Sequence, residues 1–284
     1  MIPLEDNFAD VIGKAQRGLR LSDSDLAEKA RVNSQTLRKL HNGEFDELAL
    51  QRVAPVLGLS ARALCELAAG RWHPDKVENL DGLAQFSTSY GGMLVNSYLV
   101  WDPGTKDAVA FDTGADCAEM LRRATQENLR VKLILLTHAH SDHVADLPRL
   151  REKTGAHVFA PARETVPGAE PIEEGKHFRL GKSVGGTDSS RGEIDIEARL
   201  TSGHSPGGMT YVVTGLARPI AVVGDSIFAG SMGGGNVSYE DAVRNNLEKI
   251  LTLPDETIIC PGHGPMTTVG EEKTRNPFFA GKAG

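Results

Sequence analysis

Four apolar runs in this 284-residue chain each break into histidine or aspartate near their C-terminal ends, and that coincidence limits the fold more than any other feature. VKLILLTHAHSDH supplies His138, His140, Asp142 and His143; IEARLTSGHSPGG supplies His204; IAVVGDSIF supplies Asp225; TIICPGHGP supplies His263. If the runs are strands of packed sheets with those ends on one side, five imidazoles and two carboxylates meet at one edge. Such groups are what zinc or iron binds, and their number suffices for two ions.

The spacing within the first run sharpens the expectation. In extended chain His138, His140 and Asp142 occupy every second position and project to one side, whereas His143 needs a turn into a helix to face the same point. A loop this dense holds two ions roughly 3.5 to 4 Å apart, with an aspartate such as Asp225 bridging them. Gly203, Gly224, Gly262 and Gly264 flank the later donors and permit close backbone approach. The other four histidines, His41, His73, His157 and His177, read as surface or satisfied core residues. Tyr211, Lys182 and Arg163 receive no role, and Cys260 reads as a buried thiol, not a nucleophile.

Two textures divide the chain. Residues 8 to 70 carry apolar positions at three- and four-residue steps, with Ser22, Asn33 and Ser60 placed to cap helices and Gly58 to stop one, giving four or five short helices. From about Asp81 short β-like runs alternate with helical stretches such as CAEMLRRATQENL, VADLPRLREKTG and YEDAVRNNLEKILTLP. The expected division is a helical unit over 1–72, a polar linker over 73–82 and an α/β catalytic domain over 83–284.

Composition excludes little but locates the chain. The formal charge of -7 argues against a broad polyanion-binding surface. Cys65, Cys117 and Cys260 are too few and too scattered for a disulfide framework, and no basic n-region or long apolar span is present. A cytoplasmic protein without membrane contact is expected.

The pattern HxHxDH followed by His, Asp and His resembles the metallo-β-lactamase-fold hydrolases. GDSIFAGSMG and PGHGPMTTVGEEKTRNPFF are similar to the glyoxalase II-like (hydroxyacylglutathione hydrolase-like) branch. The resemblance spans roughly Leu83 to Phe279 and implies an α/β fold, an αββα sandwich with metals at one edge. It implies one ion on His138, His140 and His204, another on Asp142, His143 and His263, and Asp225 between them. Two divalent ions are implied, zinc first, with iron or manganese as alternatives. The implied reaction is hydrolysis of a small thioester or ester by a metal-held hydroxide, oriented by Asp142 or Asp225. Relatives of the persulfide dioxygenase type keep much of the motif with a single iron, which makes an oxygenase the alternative enzyme.

The front segment LSDSDLAEKARVNSQTLRKLHNGEFDELALQRVAPVLGLSARAL resembles the Cro/CI-type helix-turn-helix domain. That resemblance implies a small all-α domain with Gln35, Thr36 and Arg38 toward the major groove of DNA and Lys39 and Arg31 near phosphates. Ten Lys and Arg stand against ten Asp and Glu in residues 1–72, however, a poor balance for phosphate neutralisation. The competing expectation is a helical bundle that serves a homodimer or shapes the mouth of the active site. A regulator that senses a metabolite through its metallo domain, without turning it over, is the alternative from outside enzymology.

Overall fold

The computed structural model describes residues 2–77, 80–181 and 193–282. The front segment forms five helices: α1 (Phe8–Gly18), α2 (Asp23–Ala30), α3 (Ser34–His41), α4 (Glu47–Val56) and α5 (Ala61–Ala68). Their starts follow side-chain chemistry. The Ser22 hydroxyl accepts from the Asp25 N–H while the Asp25 carboxylate accepts from the Ser22 N–H, and Asn33 and Ser60 cap α3 and α5. The turn between α2 and α3 places Arg31 at φ 53°, a left-handed conformation that costs a non-glycine residue roughly 1–2 kcal/mol.

Two six-stranded sheets follow. The first contains, in spatial order, β1 (Leu83–Tyr90), β2 (Met93–Trp101), β3 (Asp107–Phe111), β4 (Arg130–Leu135), β5 (His157–Pro161) and β6 (Glu170–Ile172). The second is built from β7 (His177–Leu180), β8 (Ile194–Leu200), β9 (Met209–Thr214), β10 (Ile220–Gly224), β13 (Ile258–Pro261) and β14 (Thr267–Thr268). β11 (Ile227–Phe228) and β12 (Ser231–Met232) form a separate small ribbon. The remaining helices are α6 (Ala118–Gln126), α7 (Ser141–Val144), α8 (Leu147–Thr154), α9 (Tyr239–Asn245) and α10 (Val269–Arg275).

Strand alternation sorts the apolar side chains into three cores. Val109 and Phe111 of β3, Ile220 and Val222 of β10, and Ile258 and Cys260 of β13 fill the space between the sheets. Ala108 and Ala110 face the other way, under Met120 and Ala124 of α6 and Leu150 of α8. Ala221, Val223 and Ile259 of the second sheet pack instead against the front helices, in one cluster with Val11, Leu26, Leu50 and Leu64. The front helices therefore cover a sheet face that also carries two of the donor-bearing strand ends. Among the described residues no helix is long and apolar enough to cross a membrane.

The expected alternation of His138, His140 and Asp142 in extended chain holds only in part. His140 has extended backbone (φ -64°, ψ 145°) at the start of α7, but Asp142 already lies inside that short helix beside His143. The reason is geometric: neighbouring residues point to opposite sides of a strand, so Asp142 and His143 share a target only once the chain has turned.

Candidate metal centre

All seven donors read from the sequence converge. His138, His140, His204 and Asp225 form one group and Asp142, His143 and His263 a second, with donor atoms within 4.8 Å of one another in each. In the first, His140 Nδ1 lies 3.0 Å from both His138 Nε2 and His204 Nε2, and Asp225 Oδ2 lies 3.4 Å from His204 Nε2 and 3.9 Å from His138 Nε2. In the second, Asp142 Oδ2 is 3.3 Å from His263 Nε2 and 3.6 Å from His143 Nε2. Asp225 touches this group with both oxygens, Oδ1 at 3.3 Å from His143 Nε2 and Oδ2 at 3.5 Å from His263 Nε2.

These spacings can be tested against an ion. Four donors placed tetrahedrally at about 2.0–2.1 Å from a centre stand roughly 3.3–3.4 Å from each other, near most of the separations above. Moreover, His143 Nε2 and Asp225 Oδ1 are buried and lack a hydrogen-bond partner although only 3.3 Å apart. Two such groups left facing each other are costly without something to share. The donor set fits a pair of divalent cations.

Outer hydrogen bonds set the ring tautomers. His143 Nδ1 donates to Asp112 Oδ2 at 2.8 Å, His204 Nδ1 to the Gly234 carbonyl at 3.1 Å and His263 Nδ1 to the Leu94 carbonyl at 2.6 Å. Thr137 Oγ1 donates to Asp112 Oδ2 and so accepts from His138 Nδ1 at 3.0 Å. Each of these four rings thus turns an Nε2 lone pair toward the centre, the arrangement by which a second partner orients a metal-binding histidine.

Burial and charge split the imidazoles electrically. Burial, reinforced by neighbouring imidazoles, holds His138 and His204 below the ordinary histidine range. Burial also pushes His143 and His263 down, but the carboxylates around them win: Asp225 and Asp112 lift His143 to about 10, and Asp142 and Asp225 lift His263 to about 11. Asp225 stays far below its usual value because His143, His263 and His138 outweigh its burial.

Glycine makes room where donors crowd. A Cβ on Gly262 would stand 2.2 Å from Asp225 Oδ1 and 2.6 Å from His143 Cε1, and one on Gly233 would stand 1.8 Å from the Asp225 carbonyl oxygen. The latter accounts for the glycine-rich stretch SMGGG, which runs directly beneath Asp225 and His204. Behind Asp225, the helical stretch after α9 opens into a π turn over Asn246–Ile250, from which Asn246 Nδ2 donates to the Ser226 carbonyl at 2.8 Å.

Sequence reasoning passed over Asp112. It follows β3 with φ 55° and gathers the Thr137 N–H, the Thr137 hydroxyl and the His143 ring N–H. Its signal was the same as for the other donors, an apolar strand, DAVAF, ending in aspartate. Asp112→Asn should weaken binding of the ion held by His143 by about 10- to 100-fold while sparing the other, a split measurable by competition with a chelator. Glu5 was also unsuspected: the segment before α1 runs past Gly264 and places Glu5 Oε2 3.9 Å from His263 Nδ1.

Of the residues given no role, Tyr211 is fully buried and donates to the Leu136 carbonyl at 2.7 Å, Arg163 is exposed, and Cys260 is buried with its thiol pushed far up by burial. Lys182 lies outside the described residues. On α3, Gln35, Arg38 and Lys39 are exposed and Thr36 half-buried, with Lys39 paired to Glu44 at 3.2 Å.

Comparison with known proteins agrees with this geometry. A probable metallo-hydrolase of Bacillus subtilis is 33% identical over 206 residues, covering 67% of this chain and 95% of that protein. A hydroxyacylglutathione hydrolase of Haemophilus influenzae is 29% identical over 202 residues, 66% of this chain and 94% of its own. A protein solved in a di-iron-bound form superposes with a TM-score of 0.51 at 29% identity, over 68% of this chain and the whole of that one. The family model described as the metallo-beta-lactamase superfamily matches residues 90–263, a stretch that holds every one of the seven converging donors. With that match and a donor set suited to two ions, this chain belongs to the metallo-beta-lactamase superfamily.

Proposed function

We propose that the chain is a dinuclear metal-dependent hydrolase of a small thioester or ester, using His138, His140 and His204 for one ion, Asp142, His143 and His263 for the other, and Asp225 for both. The observation that carries this reading is Asp225, whose two oxygens reach donors of both groups. Zinc fits the donors, and iron or manganese fits them also. Two divalent cations held there supply Lewis acidity, lowering the pKa of a shared water from about 15.7 toward neutrality and polarising a carbonyl.

The chain's own groups do the positioning. Asp225 holds the two sets of donors in register, and the ring N–H bonds to Asp112, Thr137, Gly234 and Leu94 keep the imidazoles from rotating away. Asp142, on the exposed side of the second group, accepts a hydrogen bond from the attacking water and aims its lone pair at the carbonyl carbon. The ring of Phe228, edge-on to His263 with centroids 5.7 Å apart, shields that side of the centre from solvent.

The relative of Haemophilus influenzae bears the name hydroxyacylglutathione hydrolase, which supports an acyl thioester as substrate. Metal-loaded protein is expected to release thiol from S-lactoylglutathione or from a simpler acyl thioester, followed with a thiol reagent. No release from any thioester or ester would reject the reading, and one iron per chain with oxygen uptake would move it to the dioxygenase alternative.

A second reading concerns the front helices, and the exposure of Gln35 and Arg38 on α3 favours it. These helices would bind DNA with α3 in the major groove, making the protein a regulator as well as, or instead of, an enzyme. Binding should fall steeply with salt, and Arg38→Ala should weaken a preferred sequence by about 1–3 kcal/mol. Absence of retardation at low salt would remove the reading. Three unpaired, buried cysteines support a reducing, cytoplasmic location.

A further inference from the structure

A cavity of about 1070 Å³ runs along the open edge of the sandwich, where the outer strands β1 and β14 of the two sheets come near each other beneath residues 73–77 and 80–81. Much of its wall is apolar, supplied by Leu83, Leu94, Pro265 and Met266. Three of its lining residues carry a buried nitrogen without a hydrogen-bond partner: Trp101 Nε1, Gln85 Nε2 and Arg123 Nε. Trp101 is only 2% exposed, and the Arg123 guanidinium carbon lies 5.7 Å from the Trp101 ring centroid, so two of these donors share one end of the cavity.

The pattern is one-sided. All three unpartnered atoms are donors, and none of the residues lining the cavity leaves a buried acceptor unpaired. Buried N–H groups without an acceptor are rare, and three around one cavity call for a molecule that brings acceptors. Arg123 makes the preferred acceptor an anion: Nη2 lies 3.4 Å from Glu127, which leaves Nε uncommitted. At the rim, exposed Lys76 offsets one of the exposed Asp75 and Asp81, so the mouth itself selects weakly.

We propose that this cavity binds an amphipathic carboxylate of medium chain length, its head at Trp101 and Arg123 and its chain along the apolar wall. The volume is ample for such a molecule. The site is separate from the metal centre but adjoins it: Leu94, which lines the cavity, also holds His263 through its carbonyl, and Pro265 and Met266 follow His263 in sequence. The proposal does not depend on the hydrolase reading.

The chain has two tryptophans, so Trp72→Phe leaves Trp101 as the sole indole reporter. Titrating that full-length variant with sodium octanoate should give a saturable change in emission with half-saturation below ~1 mM. Acetate, lacking six methylenes, should bind at least ~50-fold more weakly. Octanamide, which has the chain without the charge, should bind at least ~10-fold more weakly, and Arg123→Gln in the same background should weaken octanoate by ~10-fold. No saturable response up to ~10 mM, or equal binding of octanoate and octanamide, would overturn the proposal. If Arg123→Gln loses its far-ultraviolet dichroism, the three-ligand series on the parent variant decides alone.

Discussion

Asp225→Ala is expected to leave the purified chain with less than about a tenth of its metal and to lower hydrolysis by ~1,000-fold or more, the worth of several kcal/mol of Lewis-acid stabilisation. Asp225 is the one carboxylate in contact with four of the imidazoles, at 3.3 to 3.9 Å. Without it the five histidines become a cluster of like groups, and the donor that belongs to both sets is gone. His140→Ala should be milder for the second ion, since His140 Nδ1 contacts only His138 and His204. Metal analysis of the two variants separates the roles: loss of both ions in Asp225→Ala, loss chiefly of one in His140→Ala. Full activity in Asp225→Ala would end the account.

The second large effect is a difference in how the two ions compete with protons. In the metal-free chain the carboxylates lift His143 and His263 to about 10 and about 11, so both rings are cationic at neutral pH. His138 and His204 are pushed the other way and are already neutral there. An ion entering between Asp142, His143 and His263 therefore expels two protons, whereas one entering at His138 and His204 expels none from those rings. Its affinity should rise by about 100-fold per pH unit up to about pH 10, while the first ion's affinity changes little over pH 7 to 9. Calorimetry in buffers of different ionisation enthalpy measures the protons released by each ion, and equal release for both would contradict the argument. In the metal-free chain the same protons stabilise the fold. Because the folded values are raised above the ordinary 6.5, that contribution is complete below about pH 6.5 and is lost as the pH climbs through 10 and 11.

Much of this centre was legible before any coordinates. Strands whose apolar alternation ends in histidine or aspartate announce both the sheet and what its edge carries, which is why His204, Asp225 and His263, far apart in sequence, were brought to one place correctly. The front helices were equally plain because their caps, Ser22, Asn33 and Ser60, use side chains to satisfy orphan N–H groups.

Less legible were elements defined by partners outside themselves. β1, with sequence LAQFSTSY, carries four serine, threonine and glutamine residues and is only half-buried, since it is an edge strand; its pairing with β2 through Gly91 and Gly92 depends on the turn. α10 had a readable signal, Thr268 with Glu271 three residues on, and the structure shows that pair as a capping box. Asp112 was missed because its importance lies in the second layer, through Thr137 and His143. The extended reading of Asp142 failed because alternation along a strand and convergence of adjacent residues are incompatible. No periodicity in the sequence shows that the front helices lie against Ala221, Val223 and Ile259, the strands that lead to Asp225 and His263.

The shortest route to the central claim is the metal stoichiometry of the intact protein, loaded with excess zinc or iron, desalted, and weighed under native conditions. Two ions per chain at neutral pH are predicted, with the second lost first as the pH is lowered. A chain that retains one ion or none after loading would contradict a centre in which Asp225 joins two complete sets of donors.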